Sequence, residues 1–159
     1  MSNDYPVSWE DIHIAAKTLS TLLKDKSPFK GIIAVTRGGL VPACQIAYEL
    51  GIKTVDTISI SSYEFQTQTE LKVMKMPIDA GDGTGWLVID ELSDTGNTFR
   101  KIREIFPKAH FACLYAKPHG ADVVDTYVHD VAQDSWIFLP WDDLTFPPHI
   151  TDKIGKHLK

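Results

Sequence analysis

The sequence predicts an α/β domain, a Rossmann-like parallel sheet flanked by helices, and three observations carry that reading. Short unbroken apolar runs such as "GIIAV" (Gly31–Val35) and "HFACLYA" (His110–Ala116) read as strands buried on both faces. Helical periodicity falls between such runs. Strand, turn and helix then recur at the spacing of βαβ units, which build parallel sheets.

The elements follow in chain order. In "SWEDIHIAAKTLSTLLKD" the residues Ile12, Ala16, Leu19 and Leu23 share one helical face, and Ser8 is placed to cap it. Asp11 stands where a capping box prefers Glu. Gly31–Val35 is the first buried strand, "TRGGLVP" a turn, and Leu40–Leu50 a helix closed by Gly51. "TVDTISISSY" is a second strand and "GWLVID" a third. A helix follows over Thr98–Phe106, with Phe99, Ile102 and Ile105 inward, Arg100, Lys101 and Arg103 outward, and Pro107 ending it. "HFACLYA" is the fourth strand. "DTYVHDV" alternates, as a fifth strand at a sheet edge does. Ser62–Gly85 is polar, rich in Gln and Thr, and long for a connection. A segment of that kind is expected to be a lid, built as a small β-hairpin arm, or else a disordered insertion.

With 159 residues the chain is expected to form one domain over 1–159. A formal charge of −5 argues against a dedicated nucleic-acid binder. No apolar stretch is long enough to span a bilayer, and "MSNDYPVSWED" lacks a basic-then-apolar leader. The two cysteines, Cys44 and Cys113, lie in apolar surroundings and are expected to be buried, reduced thiols. The histidines show no zinc-like spacing.

Parallel sheets bind ligands beyond the carboxyl ends of their strands. Two turns occupy such ends, one after Val35 and one after Ile89. The second lies in "LVIDELSDTGNTF", Leu87–Phe99. Its turn opens a helix, where free N–H groups and the helix dipole favour an anion. Thr95 and Thr98 add hydroxyls, and Gly96 permits close approach of the backbone. Neither G-x-x-x-x-G-K nor G-x-G-x-x-G is present. On the turn alone, a phosphate cradle and a helix capped by Asp94 are equally good readings. The adjacent acids Asp90 and Glu91 shift the balance. Alternation along a strand sends them to opposite sides, one to vicinal hydroxyls or a divalent metal, the other to brace the loop. Few protein oxygens, with phosphates supplying the rest, suit Mg²⁺.

"VIDELSDTGNT" closely resembles the signature of type I phosphoribosyltransferases. "GIIAVTRGGLVP", "DTISISSY", "ELKV", "YAKP", "QDSWI" and "PWD" resemble, in order and spacing over nearly the whole chain, the bacterial branch of that family that acts on xanthine and guanine. The resemblance implies transfer of the phosphoribosyl group of 5-phosphoribosyl 1-diphosphate (PRPP) to N9 of guanine and xanthine, and of hypoxanthine less well, with Mg²⁺. It implies a PRPP site in which Asp94, Thr95, Gly96, Asn97 and Thr98 hold the 5′-phosphate. Asp90 and Glu91, followed by Leu92 and Ser93, meet the ribose hydroxyls and the metal. Arg37, Gly38 and Gly39 hold pyrophosphate, with a cis peptide expected between Thr36 and Arg37. Asp94 faces purine N7 as the catalytic base or an orienting acceptor. Lys117 donates to O6, Trp136 stacks on the base, and the Ile137 carbonyl meets the group on C2. The arm, about 62–85, becomes a lid, and about 132–150 a base-binding hood.

Three positions depart from those relatives: Glu91 where they have Asp, Asn97 where they have Gly, and Thr69 where an arginine reaches pyrophosphate. Lys72 is the available substitute for that charge. The resemblance further implies a homo-oligomer, a tetramer, in the cytoplasm with loose association to the inner membrane, although no basic amphipathic helix accounts for membrane contact. Two neighbouring functions are open at this point. One is a hypoxanthine-guanine transferase, set apart by the pocket around C2. The other is a PRPP-sensing regulator, which needs a basic, nucleic-acid-binding face that this chain does not show.

Overall fold

The apolar runs fold as their periodicity predicts. The computed structural model describes residues 4–65 and 68–142. In chain order the elements are β1 (Asp4–Pro6), α1 (Trp9–Lys24), β2 (Gly31–Thr36), α2 (Leu40–Leu50), β3 (Val55–Phe65), β4 (Gln68–Lys75), β5 (Trp86–Ser93), α3 (Asn97–Ile105), β6 (His110–Ala116), α4 (Pro118–Ala121), β7 (Thr126–Asp130) and β8 (Trp136–Phe138). The main sheet has the order β4-β3-β2-β5-β6-β7. Only the β3–β4 pair is antiparallel, and β7 forms the edge that its alternating pattern suggested.

Alternation along the central strands builds two core layers. Ile32 and Ala34 of β2, with Leu87 and Ile89 of β5, pack against Ile12, Leu19 and Leu23 of α1 and Ile46 of α2. Ile33, Val35 and Val88 point the other way, onto Phe99 and Ile102 of α3 and onto Phe111. A strand buried on both faces cannot afford a polar position until it ends, and both polar turns lie where β2 and β5 end.

Local chemistry fixes the helix ends. Ser8 and Asp11 form a complete capping box, so the shorter acid serves. Gly51 closes α2 at φ +68°. On α2 the buried residues are Pro42, Ala43, Ile46 and Ala47, which turns Cys44 outward: it is exposed, not buried as its neighbours suggested, whereas Cys113 is buried. On α3 the expectation that Arg103 faces away also fails. Its guanidinium lies 4.0 Å from the centre of the Phe111 ring and donates to the Val123 carbonyl at 2.8 Å.

The polar insertion forms a β-hairpin. Thr36, the last residue of β2, pairs with Ser59, and β3 runs on to Phe65. At ~3.3 Å per residue, those six further residues carry the hairpin about 20 Å past the end of β2. A second, two-stranded parallel sheet joins β1 to β8, pairing Tyr5 with Ile137. It ties the chain segment after β7 to the N-terminal strand. The part of the expected hood beyond residue 142 lies outside the described residues.

Candidate active site

β2 and β5 are neighbours and parallel, with Ala34 opposite Ile89, so the two polar turns open side by side. The run Asp90–Phe99 lines a cavity of about 230 Å³. A second cavity, of about 630 Å³, is lined by Arg37, Gly38, Leu40, Val41, Trp141 and Asp142 and shares Glu91 with the first. Trp141 also packs on Trp9 at 5.7 Å.

The turn after β2 is held down on the sheet. The Thr36–Arg37 peptide is cis, as the resemblance implied. A Cβ on Gly39 would lie 2.5 Å from the Ile89 carbonyl oxygen and 2.6 Å from that of Val35. One on Gly38 would lie 2.1 Å from the Glu91 carboxylate. Gly39 requires glycine because main chain lies against it, whereas at Gly38 the neighbour is the end of the Glu91 side chain. A backbone this close to a carboxylate places the Gly38–Gly39 segment, Arg37 and Glu91 around one space.

The turn after β5 decides between the two readings of Asp94. The N-cap of α3 is Gly96, at φ +82°, and Asp94 does not cap the helix; the Thr95 hydroxyl alone reaches its first N–H, accepting from Asn97 at a long 3.4 Å. Asp94 is engaged elsewhere, accepting from Lys117 Nζ on Oδ2 at 2.9 Å and from Gln133 Nε2 on Oδ1 at 3.0 Å. The helix N-terminus is left for an anion. Lys117 is only 5 % exposed, so its ammonium is a desolvated charge matched to one acid. Ser93 donates its hydroxyl to the Gly120 carbonyl at 2.8 Å, and Leu92 packs on the core, although both belong to the cavity's lining. Arg100 is exposed, as expected, and braces the turn from behind. It donates to the Thr95 carbonyl at 2.7 Å and to the His119 carbonyl at 3.2 Å, and pairs with Asp122 at 2.8 Å.

Asp90 and Glu91 do not separate as strand alternation suggested. At the end of β5 the faces of the sheet open onto one crevice, and both acids line the same cavity. Burial, then the neighbouring Glu91 carboxyl, pushes Asp90 well above the usual carboxylate range. Asp90 Oδ1 accepts from the Glu91 N–H at 2.9 Å, while Glu91 Oε2 is buried with no hydrogen-bond partner. A like-charged pair with an orphaned buried oxygen fits a divalent cation. No cluster of three or more metal-ligating side chains exists among the described residues, so further oxygens would have to come from substrate and water.

Trp136 is 66 % exposed, while Ile137 is buried. Lys72 pairs with Ser61 across the hairpin, and the Thr69 side chain lies outside the described residues. Two contributions to this site were not anticipated from the sequence, Gln133 and the bracing of the turn by the exposed Arg100. No local pattern marks Gln133, since its partners are 39 and 14 positions away.

A parallel sheet with an anion-ready turn beside a paired-acid crevice defines a phosphate-handling transferase, and the comparisons agree. The phosphoribosyl transferase domain matches residues 10–143, and the chain belongs to that family. Within it, the chain is 54 % identical over 138 residues to a xanthine-guanine phosphoribosyltransferase of Nitratidesulfovibrio vulgaris, covering 87 % of this chain and 84 % of that one. Among solved structures it resembles a purine phosphoribosyltransferase from Pyrococcus horikoshii, with TM-score 0.79, 28 % identity and coverage of 91 % and 96 % of the two chains. A xanthine-guanine-hypoxanthine phosphoribosyltransferase of Helicobacter pylori shares the fold, at TM-score 0.74, 22 % identity and coverage of 88 % and 94 %.

Proposed function

We propose that the protein is a purine-salvage transferase that moves the 5-phosphoribosyl group of PRPP to N9 of guanine and xanthine, and of hypoxanthine less well, releasing pyrophosphate. The observation that carries this reading is the Lys117–Asp94 pair, a buried donor and an acceptor 2.9 Å apart. A 6-oxopurine presents an acceptor, O6, beside a ring nitrogen that can carry a proton, N7. Lys117 serves the first and Asp94 the second. Adenine presents an amino group where Lys117 needs an acceptor, leaving two donors face to face. As charge builds on the ribose, Asp94 takes up the N7 proton, and N9 becomes the nucleophile.

The 5′-phosphate rests on the N–H groups of Gly96, Asn97 and Thr98 and on the Thr95 and Thr98 hydroxyls. Arg37, with the backbone of Gly38 and Gly39, receives the pyrophosphate. Asp90 and Glu91 take the ribose hydroxyls and Mg²⁺, which when bound neutralises charge on the departing pyrophosphate. Trp136 offers its exposed face to the base, the Ile137 carbonyl meets the C2 substituent, and the β3–β4 hairpin closes as a lid that keeps water from the sugar cation. The chain assembles as a homo-tetramer in the cytoplasm, with loose contact to the inner membrane. Tyr48, Leu40 and Val55, exposed around one apolar cavity, support self-association. No described helix is long and apolar enough to cross a membrane.

The test is nucleotide formation from PRPP with guanine, xanthine, hypoxanthine and adenine, with Mg²⁺ or a chelator. GMP and XMP form fastest, IMP more slowly, AMP not at all, and chelation stops all three reactions. Asp94→Asn lowers turnover by about 10²–10⁴-fold, the range of a lost general base. Saturable PRPP binding without turnover on any base would overturn the enzyme reading.

A further inference from the structure

We infer that Gln133 is a positioning residue for this reaction, an amide that orients the Asp94 carboxyl as an acceptor and locks the base-binding segment onto it. The inference rests on the function proposed above.

The geometry leaves the amide one orientation. Its Oε1 accepts from the His119 N–H at 2.9 Å, and its Nε2 donates to Asp94 Oδ1 at 3.0 Å. An N–H can only donate, so the carbonyl must face His119 and the amino group must face Asp94. Lys117 donates to the other oxygen, Oδ2. Two obligate donors, one on each oxygen, match the two acceptor oxygens of a carboxylate. They also set the plane of the carboxylate and leave its remaining lone pairs for the N7 proton.

Gln133 also joins three segments. It lies between β7 and β8, three residues before Trp136. Through the His119 N–H it holds the α4 turn behind Lys117, whose Gly120 carbonyl accepts from the Ser93 hydroxyl. A 2.9 Å bond from the His119 N–H and a 3.0 Å bond to Asp94 thus set the distance between the segment that carries Trp136 and the acid that faces the base. The charged groups around Asp94 are Lys117, ahead of α4; Asp90 and Glu91, near the end of β5, the strand that leads into it; and Arg100 of α3, behind Thr95. Gln133 is the neutral member, and its contribution is to donate without adding charge.

The test compares wild type, Gln133→Glu and Gln133→Leu. Gln133→Glu keeps an acceptor for His119 but puts a second carboxylate where the donor to Asp94 stood. Two acids at that separation share a proton, so Asp94 becomes a competent base only at higher pH. The acid limb of kcat/KM for guanine moves up by more than about one pH unit, kcat/KM at pH 7 falls about 10–100-fold with partial recovery at pH 9, and KM for PRPP stays within about twofold. Gln133→Leu loses about tenfold in kcat/KM for guanine with a smaller move of the limb. The carboxyl carbon of Asp94, followed by NMR in the substrate-free proteins, titrates at higher pH in Gln133→Glu.

An unmoved limb, or losses in PRPP and guanine parameters alike that pH does not restore, overturns the inference and leaves Gln133 a structural tie. Wild-type protein without transferase activity overturns the functional reading instead. In that case the NMR titration still decides whether Gln133 controls Asp94: an unshifted curve rejects the positioning role, and a shifted curve upholds it.

Discussion

The two turns of the site hold their shape by different means. The turn after β2 is pressed onto the sheet by glycine. Gly39 sits against the carbonyls of Ile89 and Val35, and Gly38 against the Glu91 carboxylate. The turn after β5 has one glycine that needs a positive φ, Gly96, and is otherwise braced by side chains through Arg100, Lys117, Gln133 and Ser93. A turn shaped by contact with strand backbone has no slack, since adding a methyl group moves main chain. A turn held by a side-chain network loses one strut at a time. The first arrangement should fail abruptly and the second by degrees.

The largest effect expected is therefore at Gly39. Gly39→Ala drives a methyl into two main-chain oxygens and costs on the order of 2–4 kcal/mol of stability, read as a lower urea midpoint. Gly38→Ala sharpens the contrast, because the obstacle there is the end of a side chain. Glu91 swings aside and the fold survives, but Glu91 loses its place. KM for PRPP rises at least about tenfold with little change in the unfolding midpoint. Equal midpoints for the two variants would show that the first turn is not held by backbone contact.

Arg100 tests the second turn. Arg100→Met keeps the apolar stem and removes the bonds to Thr95 and His119. The guanidinium is partly exposed, so the loss of stability is under about 1 kcal/mol. KM for PRPP rises about three- to tenfold, more than KM for guanine, since the 5′-phosphate cradle loses its support. A change confined to guanine would place the strut on the base side of the site.

This contrast explains what the sequence could and could not reveal. Buried strands on both faces, helix periods and caps are local properties, and Gly31–Val35, Leu40–Leu50 and the Ser8–Asp11 cap are legible from neighbours alone. Asp90, Glu91 and the run to Thr98 are legible because their chemistry is concentrated in one stretch. Arg103 was misread because helical periodicity assigns a face by direction, while a long side chain can reach across about 20 positions of sequence to Val123. Gln133 was missed for a related reason. Its meaning exists only after β5, β6 and β7 pair and bring its amide to Asp94. The separation expected of Asp90 and Glu91 failed because strand alternation describes the middle of a sheet, and these residues stand at its end.

A brace away from both turns supplies the smallest effect and the control. Asp56 on β3 accepts from Lys75 Nζ and from the N–H groups of Ile78 and Thr57. The Lys75 bond, then the Ile78 N–H, hold its carboxyl at about 2 instead of the ordinary 3.8. A depressed folded value means that Asp56 stabilises the protein above about pH 4 and loses that contribution as pH falls toward 2. Asp56→Asn keeps a carbonyl acceptor but loses the charge. It should be less stable than wild type at pH 7 by under about 1 kcal/mol, a partly exposed pair being screened by solvent, and indistinguishable from it near pH 2. Urea denaturation at the two pH values measures this. An equal deficit at both would mean that Asp56 acts by shape and not by charge, while any change in KM for PRPP would show that the root of the hairpin communicates with the turn after β2.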